Sequence, residues 1–278
     1  MANDVPIWLP PLLKTTGALA PALAARIMGE LISRPRGRNP TQPWELVKPA
    51  AEREVELRHG LFALVTGDGG PAVLALHGWR GRPTQFRPLA AKLLERGFRT
   101  ISIDGPGHGR SKGEHATPKL YGELLIEIAK IAGGAHAVIG HSFGGAALGA
   151  ALAFGLRPKR LVIASAPTRV SRMPFAFAKA AGLPARAMPH YWRLLEANAG
   201  RPLAELDLVA TGPGCDIPAL LVHDRQDAVI PYADAEALAA LWPELEIMTT
   251  EGLGHRDILG NEAVLGRVAA FIAPAMEH

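Results

Sequence analysis

The stretch Gly140-His141-Ser142-Phe143-Gly144-Gly145 constrains this chain more than any other. The apolar run Ala135 to Ile139 precedes it, and Ala146 to Phe154, a good helix former, follows it. A serine between a buried strand and a helix sits on a tight turn with a strained backbone, which tolerates only the small neighbours that the glycines supply. The turn projects the hydroxyl from the sheet edge, and the helix N-terminus adds backbone donors and a field that favours a developing anion. A glycine-rich pentapeptide alone is a common turn. The strand before it and the helix after it give it chemical meaning.

The rest of the chain supplies a matching frame. Short apolar runs at Ala72 to Leu76, Arg99 to Ile103, Ala135 to Ile139, Leu161 to Ala164, Ala219 to Val222 and Glu246 to Thr249 alternate with helical stretches. Strands without polar alternation, separated by helices, predict an α/β fold with a mostly parallel central sheet covered on both faces. A strand-like pattern from about Glu54 to Val65 precedes the turn Gly67-Asp68-Gly69-Gly70-Pro71. At 278 residues, one elaborated domain over 54–278 accommodates all of this. The alternation stops between about Pro167 and Asp216, where prolines punctuate short helical pieces carrying the exposed-looking aromatics Phe175, Phe177, Tyr191 and Trp192. That stretch is too long for a connecting loop and reads as a short helical cap inserted over the site.

Residues 1–53 read as a helical and extended N-terminal extension. Leu19, Leu23, Ile27 and Leu31 have helical spacing and are followed by Arg34, Arg36 and Arg38. A helix packed on the domain is favoured over an interfacial membrane helix with cationic flanks. The apolar stretch Thr15 to Ala25 fits a secretory signal poorly, because Asp4 precedes the first cation, Lys14, and Pro6, Pro10, Pro11 and Pro21 interrupt the region. No uninterrupted apolar run reaches the ~18 residues of a membrane span.

Composition narrows the function classes. Hydrophobic residues at 48% and charged residues at 20% are ordinary for a globular chain. The net charge of +4 is modest for the length, and no basic stripe accompanies a nucleic-acid-binding motif, so no nucleic-acid partner is expected. The single cysteine, Cys215, excludes an internal disulfide and a cysteine metal cluster, and points to a reducing, cytoplasmic setting. His77, His108, His141 and His255 form no local metal motif, so neither a metal nor another cofactor is expected.

A serine hydroxyl needs a base to become a nucleophile at neutral pH. His255, in Gly252-Leu253-Gly254-His255, follows the last apolar run in a glycine-rich loop from which an imidazole can reach across the sheet edge. An orienting acid belongs between the two, after another strand. Leu220 to Pro231 offers Asp224 and Asp227, of which Asp227 lies further out in the loop, while Asp224 reads as a turn organiser. Charge developing on a carbonyl oxygen needs amide donors. Trp79, in the turn His77-Gly78-Trp79-Arg80-Gly81, and Phe143 are the expected backbone donors, with side chains able to line a pocket together with Phe175 and Trp192. Asp104-Gly105-Pro106-Gly107-His108-Gly109-Arg110-Ser111 lacks the Lys-Ser/Thr ending of a phosphate-binding loop and reads as a shaped turn.

These motifs, in this order from about Glu54 to Ala273, resemble the α/β-hydrolase superfamily. The resemblance implies a nucleophile at Ser142, an acid at Asp227, a base at His255 and oxyanion donors at Trp79 and Phe143. Serine at the nucleophile position sets the chain apart from the aspartate-dependent dehalogenases and epoxide hydrolases, and His77-Gly78-Trp79 departs from the His-Gly-Gly-Gly of hormone-sensitive-lipase-like members. The expected function is hydrolysis of a small-molecule carboxylic ester through an acyl-serine. The same residues also suit a thioester, a lactone, a carbon-carbon bond or acyl transfer. A non-catalytic receptor on this fold is the remote alternative.

Overall fold

The computed structural model describes residues 6–273. Eight strands form one sheet: β1 (Glu52–Glu56), β2 (Phe62–Thr66), β3 (Ala72–Leu76), β4 (Arg99–Asp104), β5 (Ala137–His141), β6 (Arg160–Ala164), β7 (Ala219–Asp224) and β8 (Glu246–Thr250). Their spatial order is β1-β2-β4-β3-β5-β6-β7-β8. β1 pairs antiparallel with β2, and β2 antiparallel with β4; every other pairing is parallel. The single strand expected over Glu54 to Val65 is therefore a hairpin, broken at Arg58–Gly60 where His59 takes φ 62°. Glu52 of β1 is bound by the Arg87 guanidinium, Nε to Oε2 and Nη2 to Oε1 both at 2.8 Å, which clamps this antiparallel edge to the following helix.

The apolar strands face two cores because successive side chains point to opposite sides of a sheet. Leu74 and Leu76 of β3 join one core with Tyr121, Leu125, Leu148 and Leu238. Val73 and Ala75 join the other with Phe86, Leu89, Leu93, Val264 and Val268. The helices on the first face are α4 (Pro118–Ile131), α5 (Phe143–Ala153) and α9 (Ala233–Leu241); α3 (Arg87–Leu94) and α10 (Glu262–Ile272) cover the second. Two are capped in the ordinary way: Thr117 Oγ1 accepts from Leu120 N before α4, and Asn261 Oδ1 from Ala263 N and Val264 N before α10. The chain leaves β3 toward β4 on one side and reaches β5 on the other, so the carboxyl ends of β3 and β5 flank a topological switch point, where crevices form in open α/β sheets.

Between β6 and β7 lie α6 (Arg172–Ala180), α7 (Met188–Ala199) and the short α8 (Leu208–Thr211). The N-terminal residues form two helices, α1 (Leu9–Leu19) and α2 (Pro21–Ser33), rather than one beginning at Leu19. Pro21 occupies the first position of α2, where a missing N–H costs nothing, and so starts a new helix. The packed face also differs from the leucine stripe. Leu19 is 84% and Leu23 49% exposed, whereas Ala24, Ala25, Met28 and Gly29 are buried. Small residues let backbones approach: a Cβ on Gly29 would lie 2.7 Å from Leu194 Cδ2, and one on Gly17 2.6 Å from Pro184 Cγ. Leu9, Leu13, Ala24 and Met28 bury against Ala178, Ala181, Ala187 and Tyr191 in a third apolar cluster. Tyr191, exposed-looking in the sequence, is one of the most deeply buried side chains. Among the described residues no helix is long and apolar enough to cross a membrane.

Helix α5 is buried on nearly every side, and its glycines set how closely its neighbours approach. A Cβ on Gly149 would fall 2.2 Å from the Leu206 carbonyl oxygen. Alanine there gains about 1 kcal/mol of helix propensity but meets a backbone atom that cannot rotate away, and overpacking costs about 1–3 kcal/mol. Gly149→Ala is expected to lower the urea-unfolding free energy; a rise would show that the helix has room.

Candidate active site

Ser142 follows directly on β5 and takes φ 52°, ψ −118°, a conformation that side chains rarely adopt. Its N–H bonds to Ala164 O on β6 at 2.9 Å, and its carbonyl accepts from Ala146 N at 3.0 Å as α5 begins. The glycines around it are required by space. A Cβ on Gly144 would lie 2.3 Å from Leu76 O, one on Gly140 2.5 Å from Gly144 O, and one on Gly145 2.3 Å from Ala166 Cβ. Gly78 has the same reason, since its Cβ would come 2.8 Å from Ser142 Cβ.

His255, half-buried in the loop after β8, reaches this turn. Its Nε2 lies 2.9 Å from Ser142 Oγ, and its Nδ1 lies 2.8 Å from Asp227 Oδ2. An ionised carboxylate accepts only, so Nδ1 carries the proton and Nε2 accepts from the serine hydroxyl. Burial raises the affinity of Asp227 for a proton, but the His255 hydrogen bond and charge, with the N–H groups of Val229 and Ile230, outweigh it and hold the carboxyl below its usual range. Those amides bond to Asp227 Oδ1 at 2.8 and 2.9 Å. The other oxygen faces buried His223, whose Nε2 is 3.6 Å away and donates to Ile230 O at 2.9 Å.

Asp224 has a different task. Its Oδ1 accepts from Gln226 N at 2.9 Å, and its Oδ2 from Thr250 Oγ1 at 2.7 Å and Leu253 N at 3.0 Å. It therefore staples the end of β7 to the loop that carries His255. On the other side, His141 Nε2 donates to the His255 carbonyl at 2.8 Å, with the two rings 4.9 Å apart. The sequence held no periodic signal for this use of His141.

The turn after β3 brings Trp79 beside the serine. Its ring packs edge-on against Phe143 at 5.4 Å, and its carbonyl accepts from Asn39 Nδ2 at 2.9 Å. Among the described residues the Trp79 N–H has no acceptor, and Phe143 opens α5, where first-turn amides have no intrahelical partner. Arg80, at φ 59°, donates its N–H to His108 Nε2 at 2.9 Å. That fixes the tautomer of His108, whose Nδ1–H points to Tyr121 Oη at 2.7 Å. The glycine-rich turn after β4 thus shapes the Trp79 loop.

A cavity of about 190 Å³ opens in front of Ser142. Trp79, Phe143, Met173 and Phe177 line it, together with Leu9, Leu31 and Ile32 from α1 and α2, and Arg34, Arg36 and Arg80 add cationic side chains to the lining. Of the side chains expected to form the pocket, Trp79 and Phe143 do so. Phe175 and Trp192 lie off it: on α6 the residues four apart, Met173 and Phe177, face inward, so Phe175 between them points away and is 49% exposed. Trp192 packs at the edge of the cluster formed by α1, α2 and α7. Among the described residues no group of three or more His, Cys, Asp or Glu is placed to hold a metal ion.

A family model described as the alpha/beta hydrolase family matches residues 73–270. The chain belongs to this family. It is similar to a pimeloyl-[acyl-carrier protein] methyl ester esterase of Xanthomonas axonopodis pv. citri, at 29% identity over 73% of this chain and 96% of that protein. A relative from Xanthomonas oryzae pv. oryzae bearing the same description is 27% identical with the same coverage. Among solved structures, an esterase of Pyrococcus furiosus superposes with a TM-score of 0.59 at 22% identity, covering 86% of this chain and 96% of that one. An esterase from Exiguobacterium antarcticum gives 0.59 at 17%, covering 81% and 99%. These superpositions establish the hydrolase fold over most of the chain.

Burial makes two histidines of this hydrolase neutral. Desolvation, with lesser repulsion from His255, pushes His141 down to about 3. Desolvation, then His77, does the same to His108, also to about 3. Unfolded histidine titrates near 6.5. As pH falls below ~6.5 the unfolded chain takes up protons that these folded imidazoles refuse, so stability is full above that pH and declines toward pH 3. At pH 5 the loss is on the order of 2 kcal/mol for each. Urea-unfolding midpoints are expected to fall between pH 7 and 5, and His141→Gln, which keeps a donor but gains no proton, to shrink the fall. A pH-independent midpoint would contradict the neutral assignment.

Proposed function

We propose that this protein hydrolyses carboxylic esters through an acyl-enzyme on Ser142. The observation that carries the reading is the hydrogen-bonded chain Ser142–His255–Asp227, at 2.9 and 2.8 Å, beside a largely apolar cavity that Ser142 helps to line. In this reading His255 takes the Ser142 proton as Oγ attacks the ester carbonyl, and the imidazolium is stabilised by Asp227, which stays ionised. The amide N–H groups of Trp79 and Phe143 donate to the developing oxyanion. Collapse of the tetrahedral adduct expels the alcohol, protonated by His255. Water, deprotonated by the same imidazole, then releases the acid and regenerates Ser142.

The curated relatives described as methyl ester esterases support the ester as the bond cleaved. Phe143, Met173, Phe177 and Ile32 support an apolar group on the substrate, while Arg34, Arg36 and Arg80, which also line the cavity, leave room for a polar or anionic group beside it. Ser142→Ala is expected to abolish p-nitrophenyl butyrate turnover by about 10⁴-fold or more with folding intact. Asp227→Asn, which presents the wrong partner to Nδ1, is expected to lower kcat by about 10³–10⁴-fold. Retained turnover in Ser142→Ala would refute the assignment.

A further inference from the structure

The cavity before Ser142 has a neighbour. A second chamber, of about 90 Å³, shares Ile32, Phe143, Pro167 and Met173 with the first, so those four side chains form a partition common to both. Behind it the walls are chiefly apolar: Val170, Leu195, Ala199, Leu203 and Leu206, with Gly29 of α2. Helix α2 borders both chambers, and it is held against the domain by contacts at its end. Ser33 O accepts from Ala116 N at 2.7 Å, Ser33 Oγ pairs with His115 Nδ1 at 2.9 Å, and Arg34 pairs with Glu114 at 2.9 Å.

We propose that the N-terminal helices α1 and α2 form one cap with α6 and α7, and that the chamber behind Ile32 and Met173 receives an unbranched aliphatic arm of the ester. This rests on Ser142 being the nucleophile. The cap is one body because α1, α2, α6 and α7 share a single apolar cluster separate from both sheet cores. The arm is aliphatic because the chamber's walls are mostly apolar and bind methylenes, with Lys119, Thr117, Ser33 and Asn198 the polar residues among them. It is unbranched because it must pass a partition of four side chains, of which Met173 is the most adaptable. The cap thereby measures chain length, and Gly29, Ile32 and Ser33, which precede the sheet, contribute to the measuring wall.

The test is a chain-length profile of p-nitrophenyl esters from acetyl to decanoyl. In the wild-type protein kcat/KM is expected to climb with length, by up to about fourfold for each methylene seated in the chamber, and then level off. Ala199→Phe fills the chamber from α7 and Ile32→Trp narrows the passage from α2. Each is expected to lower the octanoyl-to-butyryl ratio of kcat/KM by at least about tenfold. Circular dichroism and the thermal midpoint establish that each variant is folded. Where Ile32→Trp does not fold, Ile32→Ala replaces it and is expected to move the optimum to longer chains. Methyl octanoate against octyl acetate identifies whether the acyl or the alcohol arm enters: Ala199→Phe penalises only that ester. A flat wild-type profile, or an unchanged ratio in folded variants, overturns the proposal while leaving an esterase that Ser142→Ala inactivates. Turnover surviving in Ser142→Ala overturns the nucleophile instead.

Discussion

The backbone of Ser142 is the constraint on which the rest of the site depends. Its positive φ costs on the order of 1–3 kcal/mol, and such strain persists only where the surroundings leave no alternative. Here β3, β5 and β6 supply that pressure. Leu76 O stands where any Gly144 side chain would go, Ala164 O captures the serine N–H, and Ala166 fills the space beside Gly145. Relaxing the turn would require parting the strands in the middle of an eight-stranded sheet. Strain at one residue is thus sustained by two cores, and Oγ stays within reach of an imidazole delivered from a loop more than a hundred residues later.

Burial then sorts the histidines by task. His108 and His141 are nearly inaccessible, so water cannot stabilise their charged forms, and each serves as a fixed donor and acceptor. His108 takes the Arg80 amide and shapes the turn that presents Trp79; His141 holds the carbonyl of His255. His255 differs in being half-buried, with a carboxylate on one nitrogen and a hydroxyl on the other. The same side chain therefore serves as scaffold or as proposed proton carrier according to what surrounds it. Asp224 and Asp227, three residues apart, divide in the same way, one closing the loop with backbone partners and the other facing the imidazole.

What was legible in the sequence was whatever depends on local pattern. The parallel strands β3 to β7 show as apolar runs because both their faces are buried, whereas the edge strand β8 is largely exposed, and the serine turn shows because only glycine fits around it. Residues that act through packing left weaker traces. The buried face of α2 is Ala24, Ala25, Met28 and Gly29, a stripe that hydrophobic periodicity ranks below Leu19 and Leu23 although close helix contact needs the small residues. The hairpin within Glu54 to Val65 was hidden because its break is only two residues in a left-handed conformation, His59 and Gly60, and a lone glycine with no proline beside it is a weak turn signal. Phe175 and Trp192 show the converse: aromatic character marked the cap but not which face of each helix meets the cavity.

The proposed chemistry and the proposed selectivity consequently rest on different bodies. Ser142, Asp227 and Trp79 hang from strand ends, and their positions are determined by the two cores that sandwich the sheet. Met173 and Phe177 hang from α6, and Ile32 from α2, helices whose packing is determined by a third cluster with its own membership. The cavity lies at the seam between them. A substitution within the third cluster alters wall positions without disturbing the strained turn, because no strand passes through it. Substrate range in such an arrangement can change by repacking helices while the serine, imidazole and carboxylate keep their distances. The N-terminal helices are part of that variable body even though the sheet begins only after them.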